Sequence, residues 1–175
     1  MFRLIRILIV AILLAGIYFY LQQTPYITAS WQRMSITPSM NLAFPSNARH
    51  HTRRVHHPRL GDTRLEVYDL IRQDEAYICL RISPHQFRFT KMNLPDLLDP
   101  IRQLNDTADA QISLKKQFSY RGQPAYEYHA KTARGQNLWV RLIKFDDTIV
   151  SLIYAVDKQS ISRRSAENFF DSLQF

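Results

Sequence analysis

Apolar and polar residues alternate along most of the chain from Ser35 onward, the period expected where strands bury one side. "SITPSMNLAFP" leads into this pattern and stops at Pro45. "TRLEVYDLIR" and "EAYICLRIS" flank "RQDE" and predict a hairpin, with Ala76, Ile78, Leu80 and Ile82 marking a buried face. "AQISLKKQFSY", "PAYEYHAKT", "NLWVRLIKF" and "TIVSLIYAV" predict four further strands, separated by the turn-forming "RGQ", "ARGQ" and "DD". Two stretches break the alternation. In "NLPDLLDPIRQLND", Leu94, Leu97, Leu98, Ile101 and Leu104 recur at helical spacing. Pro100 does not suit a helix interior, so the helix is expected to start there, with Asp99 as its N-cap. "SISRRSAENFFDSLQF" predicts a terminal helix capped by Ser160, with Ala166, Phe169, Phe170 and Leu173 on one side and Arg163 and Arg164 facing away. The predicted class is α+β, an antiparallel sheet of about seven strands flanked by helices.

The N-terminus follows a different rule. Ile7 to Leu21 carries no charge. If Arg3 and Arg6 snorkel, the apolar run extends back to Phe2 and reaches about twenty residues, the length that spans a bilayer. Tyr18 and Tyr20 suit the interfacial belt at its far end, and the two arginines before the run place the N-terminus in the cytoplasm. A cleaved signal peptide is the competing reading, but Thr28 and Ser30, the tolerable cleavage pair, lie well past the apolar core. Leu14, Ala15 and Gly16 resemble the start of a lipobox, yet Ile17 stands where the lipidated cysteine belongs. Residues 1–21 are therefore expected to be a transmembrane anchor, residues 22–34 a linker with Pro25 ending the helix, and residues 35–175 one domain.

Composition fits a folded domain: 46% of residues are hydrophobic and 12% aromatic, which a disordered chain would not show. The formal net charge is +8, which favours acidic partners. The single cysteine, Cys79, lies in an apolar run and has no partner for an intramolecular disulfide.

Three local signals, in this order, resemble the Mog1/PsbP-like family. "MNLAFPSN" is a strand closing on Phe44-Pro45, "YRGQPAYEYHA" carries a Gly-x-Pro-Ala turn between strands, and "ENFFDSLQF" is a final helix with paired phenylalanines. The resemblance spans roughly Ser35 to Phe175 and implies an α/β/α sandwich around an antiparallel sheet. It also implies a binding or assembly role: one branch of the family binds a small nuclear GTPase, another supports the photosynthetic oxygen-evolving complex, and bacterial members are often lipoproteins. The missing lipobox cysteine is a departure from the bacterial pattern. The resemblance brings no shared catalytic residues.

"ARHHTRRVHHPR" concentrates His50, His51, His56 and His57 with Arg49, Arg53, Arg54 and Arg59. Metal binding needs ligands converging on one point. None of the histidine pairs is three or four residues apart, adjacent histidines on a strand point to opposite faces, and His50 and His56 would lie roughly 20 Å apart. Nearby arginines oppose a cation, so no metal is expected. Anion contact needs no convergence. The plainer reading is a solvated edge strand defended by its charge.

Glu127 and His129 share a strand face and would suit an acid–base pair, with a solvated face as the structural alternative. No G-x-S-x-G or glycine-rich phosphate loop occurs. Asp146-Asp147 reads as a turn, and Asp96, Asp99 and Asp106 are too loosely placed for a calcium loop. Tyr120, Tyr126 and Tyr128 flank the Gly122 turn and either line a groove or fill the core.

These features predict a non-enzymatic domain anchored through residues 2–21 on the outer face of a bacterial inner membrane. It would bind or help assemble a protein or cell-envelope partner. The alternative is direct contact with anionic lipid or envelope polymer through the Arg/His strand at 49–59. A third reading is an enzyme using Glu127 and His129. No cofactor and no nucleic-acid partner is expected.

Overall fold

The computed structural model describes residues 31–85, 88–89, 92–105, 107–157 and 163–175. The expected membrane anchor, the Ser160 cap and Asp106 lie outside the described residues, and so does most of the expected linker. Among the described residues, no helix is long and apolar enough to cross a membrane.

Nine strands and two helices are described: β1 (Gln32–Thr37), β2 (Met40–Phe44), β3 (Arg49–His57), β4 (Gly61–Ile71), β5 (Glu75–Pro84), α1 (Leu94–Leu104), β6 (Gln111–Tyr120), β7 (Gln123–Lys131), β8 (Asn137–Lys144), β9 (Ile149–Val156) and α2 (Arg163–Asp171). Seven strands form one sheet in the order β3-β4-β5-β9-β8-β7-β6, and β1 and β2 form a separate pair. Every pairing is antiparallel.

The sheet is two meanders joined along one seam. β3, β4 and β5 run side by side. The chain then crosses one face through α1 to the far edge and returns as β6, β7, β8 and β9. The return sets β9 against β5, pairing Ile78 with Ile153 and Cys79 with Leu152. β9 is buried on both faces, as its near-continuous apolar sequence, broken by the buried Ser151, requires. The β6–β7 turn is Arg121-Gly122, both at positive φ (49° and 84°), which matches the right-handed twist of a tight hairpin.

Side-chain alternation sends each strand's residues into two cores. On one face α1 packs Leu94, Leu97, Leu98, Ile101 and Leu104 against Leu65, Leu80, Val140 and Ile153. On the other, α2 and the β1–β2 hairpin pack Leu42, Phe44, Phe169 and Phe170 against Tyr77, Cys79, Leu152 and Tyr154. The antiparallel sheet flanked by helices thus matches the expectation. Four details differ from it. β1 starts at Gln32, ahead of Ser35, because the Trp31 ring packs edge-on against Tyr77 at 5.7 Å. "SITPSMNLAFP" is two strands rather than one, turning at Pro38-Ser39. β5 buries Tyr77 and Cys79 as well as Leu80 and Ile82, since it lies in the middle of the sheet with a layer on each side.

The fourth difference is α1, which starts at Leu94 with Asn93 at its N-cap, not at Pro100 with Asp99. Pro95 occupies the first turn, where its missing N–H costs nothing. Pro100 sits inside the helix and forfeits one hydrogen bond, a loss of about 3 kcal/mol. Burying four leucines and an isoleucine on the sheet, at about 1.5–3 kcal/mol each, outweighs it.

This geometry sets an expected outcome. Asp99 is 77% exposed and caps nothing, so Asp99→Ala should change stability by no more than about 0.5 kcal/mol. Ile101→Ala should cost about 2–5 kcal/mol in urea unfolding. A cost of about 1 kcal/mol or more at Asp99 would instead mark it as the cap.

Candidate functional site

The Arg/His stretch forms β3, the outer strand of the sheet, paired on one side with β4 from Arg49↔Asp69 to His57↔Gly61 without a register break. An edge strand's alternate residues turn their N–H and C=O groups away from the partner. Most of β3 is exposed; Val55 is half-buried and His57 buried.

Its side chains divide between the two faces. On the α1 side, Arg49 pairs with the buried carboxylate of Asp69, and His51 Nδ1 stands 3.7 Å from the other oxygen of that group. Arg53 donates to the Leu104 carbonyl at 3.0 Å, a cation set on an open helix C-terminus. His57 Nδ1 accepts the Arg59 backbone N–H at 3.2 Å, so Nε2 carries the proton and donates to Gln103 Oε1 at 2.8 Å. On the other side, His50 stacks on Tyr68 with ring centroids 4.3 Å apart. His56 Nδ1 lies 2.8 Å from Asp62 Oδ1. Arg54 stands opposite Arg64 in the register.

Arg54 and Arg59 have no acidic partner among the described residues. Arg64 is tied to Glu66 at 2.7 Å, a buried carboxylate that also holds Arg81 at 2.8 Å. Arg54, His56, Arg64 and His85 line a groove of about 690 Å³ together with Asp62 and Ser83. Of these, Arg64 is held by Glu66 and His56 by Asp62, which leaves Arg54 as the groove's arginine without an ion pair among the described residues. The four strand histidines fall in pairs on opposite faces. Among the described residues no group of three His, Cys, Asp or Glu side chains converges as a metal site would.

The other candidate residues are placed differently. Tyr120, Tyr126 and Tyr128 do not line one groove. Tyr120 belongs to the α2-side core, where its hydroxyl donates to the Phe170 and Leu173 carbonyls, both at 3.1 Å. Tyr126 and Tyr128 are buried in the α1-side core. Strand parity separates the last two from Tyr120, because the Arg121-Gly122 turn reverses the chain between them.

Glu127 and His129 do share a face, yet no hydrogen bond links them. Glu127 accepts from Arg141 Nε at 3.0 Å and from Nη2 at 2.9 Å. Arg141 also reaches Asp171 at 2.7 Å and lies over the Phe118, Tyr120 and Phe170 rings at 5.4, 5.2 and 4.9 Å. The carboxylate is thus committed to holding a buried guanidinium that fastens α2 to the sheet. Sequence reasoning missed this network; its signal was a lone arginine inside the apolar run "NLWVRLIKF". His129 packs edge-on against Trp139 at 5.4 Å. Burial pushes its pKa down, Glu127 partly offsets that, and Arg163 adds to it.

A search of solved structures gives the arrangement a precedent. The solution structure of cyanobacterial PsbP (CyanoP) from Synechocystis sp. PCC 6803 superposes with a TM-score of 0.58 at 14% sequence identity, covering 83% of this chain and 92% of that one. The fold is PsbP-like. No family model and no curated protein matches the chain. The PsbP-like likeness therefore speaks for architecture, while the site rests on this chain's own residues.

The lowered His129 pKa has a consequence for stability. The unfolded chain takes up this proton near pH 6.5, whereas the folded chain resists until lower pH. Stability is complete above that value and falls as pH drops from about 6.5 toward the folded pKa. His129→Gln should flatten this part of the profile in urea unfolding between about pH 7.5 and pH 5. Parallel profiles for variant and parent would contradict it.

Proposed function

We propose that this chain is a non-enzymatic binding or assembly domain. It is anchored by residues 2–21 in a bacterial inner membrane, with the folded domain on the extracytoplasmic side. It engages an acidic protein or cell-envelope partner through β3. The observation that carries this reading is the position of β3. The run richest in Arg and His forms the sheet's outer strand, with no further strand beyond it among the described residues, and Arg54 and Arg59 make no ion pair among those residues. Cations held at an edge with nothing to neutralise them attract an anionic surface and speed its approach. The net charge of +8 acts in the same direction.

Against an enzyme stands the state of its best pair: Glu127 is occupied by Arg141, and His129 is packed on Trp139. Outside the cytoplasm, nucleic acid is not the expected polyanion. Anionic lipid remains the alternative partner for the same residues.

Full-length protein in nonionic detergent, offered fluorescent poly-L-glutamate, should bind it. Affinity should fall steeply between about 0.05 and 0.2 M salt, where screening tightens. Arg54→Glu with Arg59→Glu should weaken binding at least about tenfold, a loss of about 1.4 kcal/mol. Neither side chain makes an ion pair among the described residues, so the double variant should unfold as the parent does. Undiminished binding by the double variant would refute the assignment. Binding to phosphatidylglycerol vesicles but not to polyglutamate would transfer the site to lipid.

A further inference from the structure

The two edges of the sheet are built differently. β6, at one edge, has a register shift between Ile112 and Leu114, and such a bulge bends a strand and spoils its outer row of hydrogen-bonding groups. β3, at the other, keeps an unbroken nine-residue register with β4. Its outer row is consequently regular over about 30 Å. Among the described residues no backbone group hydrogen-bonds to it from outside; its one further main-chain bond is Leu60 N–H to the His57 carbonyl, within the turn. A regular open edge is a template for another strand.

We infer that β3 takes up an acidic, extended segment of a partner protein as an added strand, pairing backbone to backbone along Arg49–His57. This deepens the reading of β3 as the contact surface and rests on it. Charge selects the occupant. A second copy of β3 would set arginines against arginines, and like charges opposed across a ladder repel. Residues 1–30 of the chain contain no Asp or Glu to match the cations. On the face away from α1, Arg54 makes no ion pair among the described residues and is flanked by His50 and His56, so a strand bearing carboxylates at alternate positions finds its partner there, while on the α1 side Arg49 is already held by Asp69. The same cations that repel a copy of β3 therefore admit an acidic strand, so the edge discriminates instead of being merely closed.

The test compares three peptides on the full-length chain in nonionic detergent. The first alternates glutamate with valine. The second has the same sequence with its central backbone amides N-methylated, which keeps the charge and removes the ladder donors. The third replaces glutamate with lysine. The first should bind and slow hydrogen exchange of β3 amides, the second should bind at least tenfold more weakly, and the third should not bind. Equal binding of the first two, or no added protection in β3, overturns strand addition and leaves the charge-based reading intact. Binding of the lysine peptide overturns it as well. If none of the peptides binds while polyglutamate does, strand addition alone falls; if polyglutamate also fails, both readings fall.

Discussion

Along Glu75–Pro84 and Ile149–Val156, two meanders that are far apart in sequence become one sheet. Everything else in the molecule depends on that seam. It closes only if the chain crosses a whole face between β5 and β6, which is the task of α1. The crossing buries the apolar side of α1 and, with it, one face of the seam. The opposite face then carries Tyr77, Cys79, Leu152 and Tyr154, aromatic and apolar groups that need a second cover. The β1–β2 hairpin and α2 supply it. Arg141, pinned between Glu127 and Asp171 and roofed by three rings, fastens α2 in place.

The same construction decides which strands lie outside. With β5 and β9 consumed at the centre, the first strand of each meander, β3 or β6, is left with one free side. Each chain end of the sheet meets the edge problem differently: β6 with a bulge, β3 with charge. Arg54 of β3 and Arg59 of the turn after it are unlike Arg141 in their surroundings. Arg141 is buried among acids and rings, so its charge is spent on structure. Arg54 and Arg59 are exposed and make no ion pair among the described residues, so theirs remains available to a partner.

Local pattern revealed much of this in advance. Alternation and apolar runs located β4 through β9, turn residues marked the hairpins, and charge marked β3 as a solvated edge strand, because these signals are written into neighbouring positions. The helical spacing of Leu94 to Leu104 identified α1, though weight given to Pro100 moved its start; the sum of buried leucines was stronger than one lost hydrogen bond. What the pattern could not carry was order across the sheet. That β5 is central, and so buried on both faces, depends on a strand seventy residues later. Whether Tyr120 joins Tyr126 depends on a turn that reverses parity. The histidines' failure to converge was readable from spacing alone, whereas the availability of Arg54 needed the register that sets it opposite Arg64.

The central claim is that contact is made through β3, by a partner whose chemistry is acidic and proteinaceous. It is tested most directly by placing a photoreactive amino acid at Thr52, an exposed β3 position, in the intact chain in cells, with Leu114 of β6 as the control. The account predicts a crosslinked protein from Thr52, joined through a segment rich in Asp and Glu, and none from Leu114. The same products from both positions, or lipid adducts alone from Thr52, would contradict it.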